Sequence, residues 1–271
     1  MTRFLHITDL HVSAGTGGQS SRRRASVAAL ERLVEIADRL RPRPAFIVAS
    51  GDLTNTGDQD SYRIVGNMLG ALDIPVIWAL GNHDRRAGFH AVFPGHAGAP
   101  DGPLDHDAVH AGVHVIALDS SIPGQVGGGL DDDQFARLEE MLARHEDLPR
   151  LVTVHHPPKL SPRARSGWAT LTEESSERLR VALAGRNVLA VLSGHMHMNR
   201  VAMWHGIPLV VTMGQQSTVD LTRTDALAVI EGMGFAICDL LPGGLQTTFV
   251  PLAEPRVIRE IPEERLRAFF S

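Results

Sequence analysis

A chain of 271 residues with 43% hydrophobic and 21% charged residues has the composition of a folded protein, long enough for one large domain or two small ones, which excludes disorder as the default. The formal net charge of -5 lacks the basic excess of a general nucleic-acid binder. No segment approaches the roughly 20 apolar residues of a membrane span, and Met1-Thr-Arg-Phe-Leu-His-Ile-Thr-Asp lacks the apolar run of a secretory signal, so a cytoplasmic protein without a membrane partner is expected.

In chain order, short apolar runs alternate with stretches of helical periodicity, the pattern of an α/β protein with a largely buried sheet. Arg3–Thr8 reads as a strand. Val27, Leu30, Val34 and Ala37 then share one helical face, joined by Leu33, Ile36 and Leu40. Strands are expected at Phe46–Ser50 and Val76–Ala79, followed by a segment from about Ala87 to Val109, rich in Gly, Pro, His and Asp, that reads as an irregular connection near the active site. A strand at Val113–Leu118, a helical stripe of Phe135, Leu138, Met141 and Leu142, and strands at Leu151–Val154, Val188–Ser193 and Leu209–Thr212 complete the pattern. From Val201 onward short strands are punctuated by Gly and Pro, and the charged stretch Arg256–Arg267 reads as a small helix or an arm for a subunit contact. Without internal repeats or a low-complexity linker, one domain over 1–271 is expected, with 252–271 as a C-terminal arm.

The single Cys238 excludes an intramolecular disulfide, whereas fourteen His stand out, since imidazole is costly to bury alone and is a common metal ligand. Several follow the expected strands directly. Asp9 and His11 come after the first, Asp52 after the second and Gly81-Asn82-His83-Asp84 after the third; His155-His156 and Gly194-His195-Met196-His197 follow later ones. Where parallel strands share a C-terminal edge, such residues meet in a crevice although far apart in sequence. Two carboxylates, an amide oxygen and several imidazoles suit first-row transition metals better than calcium. Seven such ligands exceed the needs of one ion, so two ions sharing one carboxylate are expected, and they make a Ser or Cys nucleophile unnecessary because metal-bound hydroxide attacks phosphorus. Two divalent ions, two carboxylates and a bridging hydroxide leave a formal charge of about +1, attractive to a phosphodiester anion.

Asp9-Leu10-His11, Gly51-Asp52, Gly81-Asn82-His83-Asp84, His155 and Gly194-His195-Met196-His197 resemble the five ordered blocks of calcineurin-like metallophosphoesterases. Within that family the bacterial class III cyclic-nucleotide phosphodiesterases and related glycerophosphodiesterases look most similar, through the Gly51-Asp52-Leu53-Thr54, Gly81-Asn82-His83-Asp84 and His155-His156-Pro157-Pro158 segments. The resemblance implies an α/β fold, a four-layer α-β-β-α sandwich of the metallophosphoesterase type. It implies that Asp9, His11 and His197 bind one metal, that Asn82, His155 and His195 bind the other, and that Asp52 bridges them. It places His83 at the transition state, with Asp84 orienting it, and Asn82 and His83 at the substrate, with His156 either behind the metal ligands or facing the substrate. The expected cofactors are two metal ions, Mn2+ or Fe2+/Fe3+, with Zn2+ and Co2+ also compatible. A small phosphodiester such as 3′,5′-cAMP is the expected substrate, and a homodimer or higher homo-oligomer the assembly the family suggests.

Taken singly, each of these polar residues reads as a turn former or cap; their joint order carries the inference. The remaining histidines read as surface or hydrogen-bonded structural groups, with His90 and His96 the two nearest the expected pocket. Gly15-Thr16-Gly17-Gly18 and Gly127-Gly128-Gly129 lack the Lys and full Gly spacing of a nucleotide-binding loop and read as flexible turns; Arg22-Arg23-Arg24 reads as a solvated cluster and Trp168 as packing. The same ligands serve a phosphomonoesterase, a nucleotide pyrophosphatase or a nuclease, and a binding or scaffold module is the non-enzymatic alternative, which the complete ligand set disfavours.

Overall fold

Period-2 alternation with apolar residues on both faces calls for a sheet covered on both sides, and the chain builds two. The computed structural model describes residues 1–15, 20–96, 101–160, 170–223 and 227–252. One sheet places β1 (Thr2–Ile7), β2 (Phe46–Ser50) and β3 (Val76–Ala79) in parallel, and extends past β1 with the antiparallel β12 (Gly234–Leu241) and β13 (Gly244–Pro251). The other runs β4-β5-β6-β7-β9-β8, in which β5 (Val113–Leu118), β6 (Arg150–Val154), β7 (Val188–Ser193) and β9 (Ile207–Val211) are parallel. Antiparallel β4 (His106–His110) and β8 (Arg200–Trp204) edge it. A two-stranded ribbon, β10 (Thr218–Val219) with β11 (Val229–Ile230), stands apart.

Three apolar layers hold these elements. Phe4, Phe46, Val48 and Ile77 meet Val115, Ala117, Leu151 and Leu192 between the sheets. The alternate residues Leu5, Ile7, Ile47 and Ala49 face Leu30 and Leu33 of α1 (Ser20–Arg39) and Val65 and Leu69 of α2 (Gln59–Gly70). Ile116, Val152, Val154 and Val191 face α4 (Asp132–Leu142) and α5 (Glu173–Leu183) through Phe135, Leu138 and Leu179. The order is helix, sheet, sheet, helix, the sandwich expected from the sequence. Among the described residues no helix is long and apolar enough to cross a membrane.

The segment read as an irregular connection is partly regular. It holds the short helix α3 (Arg86–Val92) and the edge strand β4. Seven residues interrupted by Gly88 are too few to show a stripe; α3 is held instead by Phe89, buried with its ring edge-on to Tyr62 and Trp78. The rings of His90 and His96 pack against Phe89 in this aromatic cluster. The helices α2 and α5 lie outside the two stripes read from the sequence and are marked by caps: Asp58 accepts from the Ser61 N–H and Thr172 from the Ser175 N–H. Trp168, Arg256–Arg267 and Thr16–Gly18 lie outside the described residues.

Beneath β3, the His106 ring donates Nε2–H to the Trp78 carbonyl at 2.7 Å. Burial holds its pKa below the ordinary value, against the opposing pull of that bond and of Asp107, and burial followed by His106 does the same to His96. The unfolded chain binds these protons below about pH 6.5 while the folded protein resists them, so their contribution to stability falls as the pH drops through that value. The urea midpoint is therefore expected to be lower at pH 5 than at pH 7.5, with a shallower slope in His106→Gln. A midpoint constant across that interval would contradict this.

Candidate metal centre

The parallel strands deliver the polar residues to one edge of the sandwich. Asp9 and His11 leave β1, Asp52 leaves β2, Asn82 and His83 leave β3, and His155 with His195 and His197 leave β6 and β7 of the facing sheet. The His197 Nε2 lies 3.3 Å from Asp9 Oδ1 and 3.2 Å from His11 Nε2, while His155 Nε2 lies 3.4 Å and His11 Nε2 3.7 Å from Asp52 Oδ2. Four groups arise with potential ligand atoms within 4.8 Å of one another: Asp9, His11 and His197; Asp9, Asp52 and His155; His11, Asp52 and His83; and His155, His156 and His195. Asp9 and Asp52 each belong to two of them.

Four of these candidate ligands are aimed by a further contact. His155 Nδ1 donates to the Ser50 carbonyl at 2.8 Å and His197 Nδ1 to the Ser217 carbonyl at 3.1 Å, which leaves both Nε2 lone pairs toward the carboxylates. Asp9 Oδ2 accepts from the Thr8 hydroxyl at 2.8 Å and the His195 N–H at 2.9 Å; Asp52 Oδ1 accepts from the His83 N–H at 2.8 Å. Asp9, His11, Asp52, His195 and His197 all adopt left-handed backbone, with φ between 44° and 67°. Such conformations are uncommon outside glycine and cluster where geometry serves function. Gly194 is demanded by close approach, since a Cβ there would stand 2.6 Å from Asp9 Oδ2 and collide with the Thr8 hydroxyl.

The electrostatics call for cations. Burial opposes ionisation of Asp9 and Asp52, yet His197 beside the first and His155 beside the second hold both below the usual carboxylate range. Burial likewise opposes charge on His155, but Asp52 and Asp9 outweigh it and raise its pKa to about 9; at His11 burial wins and lowers the pKa to about 4. Imidazolium protons thus stand where metal ions would supply positive charge. The buried Asn82 Oδ1 and His155 Nε2 have no hydrogen-bond partner, a costly state that coordination relieves. Two carboxylates, an amide oxygen and imidazoles fit a pair of first-row cations.

The other expected site residues occupy distinct places. His83 is exposed, its Nδ1 donating to the Asn55 carbonyl at 3.0 Å and its ring edge-on to His11. Asp84 accepts from the N–H groups of Leu53, Gly81 and Thr54 and from the Tyr62 hydroxyl at 2.9 Å, so it ties the β2 loop to the β3 loop, and Asn55 is what sets the His83 ring. Burial, with Asp52 adding to it, pushes the Asp84 pKa up to about 6. His156 is buried with both ring nitrogens engaged: Nδ1 accepts from the Ser120 hydroxyl at 2.7 Å and Nε2 donates to the Val126 carbonyl at 3.0 Å. It lies beneath His195, with ring centroids 4.5 Å apart. Gly128, read as part of a flexible turn, is bridged to Ser121 and Leu171, and a Cβ there would strike the His156 ring. Tyr62, Ser120 and Asn55 escaped the sequence reading. The chain's only tyrosine was a signal for the first, whereas a backbone carbonyl, as in Asn55, leaves none.

Known proteins resemble this chain along most of its length. A probable cyclic nucleotide phosphodiesterase of Rhodococcus erythropolis is 34% identical over 80% of this chain and 72% of its own length. A cAMP/cGMP dual specificity phosphodiesterase of Mycobacterium tuberculosis is 32% identical over 81% of this chain and 69% of its own. In fold the protein is similar to a dimetal phosphatase from Danio rerio, with a TM-score of 0.65 at 16% identity over 93% of this chain and 99% of the other. The family described as calcineurin-like phosphoesterase matches residues 2–199, a span that takes in every residue of the centre, and the chain belongs to that family.

Proposed function

We propose that the protein hydrolyses a phosphodiester, with 3′,5′-cyclic nucleotides as the substrate class. The observation that carries this reading is the pair of buried carboxylates, each shared among imidazoles from both sheets, beside an exposed histidine. Asp9, His11 and His197 would hold one ion, Asn82, His155 and His195 the other, and Asp52 both; Mn2+ or iron suits this set, as do Zn2+ and Co2+. When bound, two such ions acidify water and neutralise phosphate charge. The residues of the chain do the rest. Asp52, fixed by the His83 N–H, and Asp9, fixed by Thr8 and His195, keep the two ligand groups in register. The bond from His83 Nδ1–H to Asn55 leaves Nε2 free of that contact; in the imidazolium form its Nε2–H would meet the phosphate and pass its proton to the departing oxygen, leaving the neutral ring. His156, fully buried and locked between Ser120 and Val126, supports His195 from beneath and has no ring nitrogen left for a substrate.

The test uses one metal-stripped preparation reloaded with Mn2+, comparing bis(p-nitrophenyl) phosphate, p-nitrophenyl phosphate and 3′,5′-cAMP. Diester cleavage well above monoester cleavage, with turnover of cAMP, is expected. Cleavage of the monoester alone would keep the centre and replace the diesterase by a phosphomonoesterase.

A further inference from the structure

Next to the centre, and used by none of the roles above, lies a cavity of about 210 Å³. His195 and His197 form its floor, so whatever fills it touches the metal-site edge of the molecule. Its walls are Met196 and Met198 on one side and Val219, Leu227 and Val229 of the β10–β11 ribbon and its approach on the other. Ser217 is the remaining lining residue, and its carbonyl and hydroxyl both face His197 Nδ1, at 3.1 and 3.4 Å. Among the described lining residues, apart from the two floor histidines, no side chain carries a charge, and the Ser217 hydroxyl is the one polar side-chain group. Leu227 and Val229 nevertheless remain 63% and 62% exposed at the rim, apolar surface that isolated monomers seldom cluster beside an otherwise polar site.

The geometry points to this cavity as the subsite for the base of the substrate's nucleoside. The inference rests on the cyclic-nucleotide reading above and adds what selects the substrate. Thioethers and aliphatic groups make favourable contacts with the face of an aromatic heterocycle, and the volume lies below the roughly 300 Å³ at which pockets for drug-sized ligands begin, which suits one ring system. A glycerol group placed there would give up its bonds to water and receive at most the Ser217 hydroxyl in return. Because the walls offer an apolar surface and a single rotatable hydroxyl, which can donate or accept, they read the face of the base and do not discriminate by its edge. Adenine and guanine are therefore accepted alike, and a substrate without a base is disfavoured.

The experiment measures kcat/KM of the Mn2+-loaded protein on 3′,5′-cAMP, 3′,5′-cGMP and the base-free 1-O-methyl-ribose 3′,5′-cyclic phosphate, in wild type, Leu227→Glu and Val229→Glu. Both positions are exposed, so the fold tolerates the charge. The wild type is expected to cleave the two nucleotides within about threefold of each other and at least about tenfold better than the base-free ester. Either variant should collapse that preference toward unity through KM. Equal wild-type kcat/KM on nucleotide and base-free ester overturns the subsite and leaves the cyclic diesterase standing, whereas no cleavage of any of the three overturns both. An equal loss on all three substrates in the variants, with altered sedimentation, makes the ribbon a subunit contact and overturns the subsite.

Discussion

Asp52→Asn is expected to lower diester hydrolysis by about three orders of magnitude and to reduce bound metal from two ions toward one. The substitution keeps the shape of the side chain and removes the one charge both ions would share. Its Oδ2 faces His155 Nε2 at 3.4 Å and His11 Nε2 at 3.7 Å, so the loss falls on both ligand groups at once. Losing several kcal/mol of transition-state stabilisation at such a bridge corresponds to about 10³ in rate, since each 1.36 kcal/mol is tenfold. Elemental analysis of the purified variant beside the bis(p-nitrophenyl) phosphate assay decides the matter. A variant with full metal and wild-type rate would remove Asp52 from the bridge.

His83→Ala should separate chemistry from assembly. The side chain is exposed, tied to Asn55 and in edge contact with His11, so its removal leaves the buried carboxylates in place. Metal content is expected to stay at the wild-type level while kcat falls by about 10²- to 10³-fold, the range of a lost general acid. The deficit should be larger on a cyclic nucleotide, whose leaving alkoxide needs a proton, than on a p-nitrophenyl diester, whose leaving group does not. A different result has a structural motive, because His83 shares a ligand-sized group with His11 and Asp52. Loss of metal together with rate would make it a ligand.

The sequence made the frame and the centre legible for the same reason. β2, β3, β5 and β7 match their expected bounds because each is an apolar run broken by a Gly or a polar group, and candidate site residues sit at the breaks after β2, β3 and β7. What escaped depends on partners distant in the chain. The α3 helix has no stripe because a single side chain, Phe89, anchors it against Tyr62 and Trp78. Asp84 is adjacent to His83 in sequence, which suggested a partnership, yet its carboxylate turns to the loop of β2 thirty residues away. The two rings of the His155-His156 pair go to different tasks, one toward Asp52 and one toward Ser120 and Val126, a division that neighbouring identical residues cannot announce. The apolar cavity joins Met196 and Met198 to residues of a ribbon whose two-residue strands are too short to register as a pattern.

The centre draws Asp9, His11, Asp52 and Asn82 from one sheet and His155, His195 and His197 from the other. Under the ligand assignment proposed above, each ion needs residues from both. A ribosome-bound chain therefore cannot complete one ion's set until position 195 has emerged, nor the other's until position 197, so metallation comes after the two sheets have met. The ions then act as a late clasp, their binding free energy reinforcing the docking of the halves over the integrity of any one helix or strand.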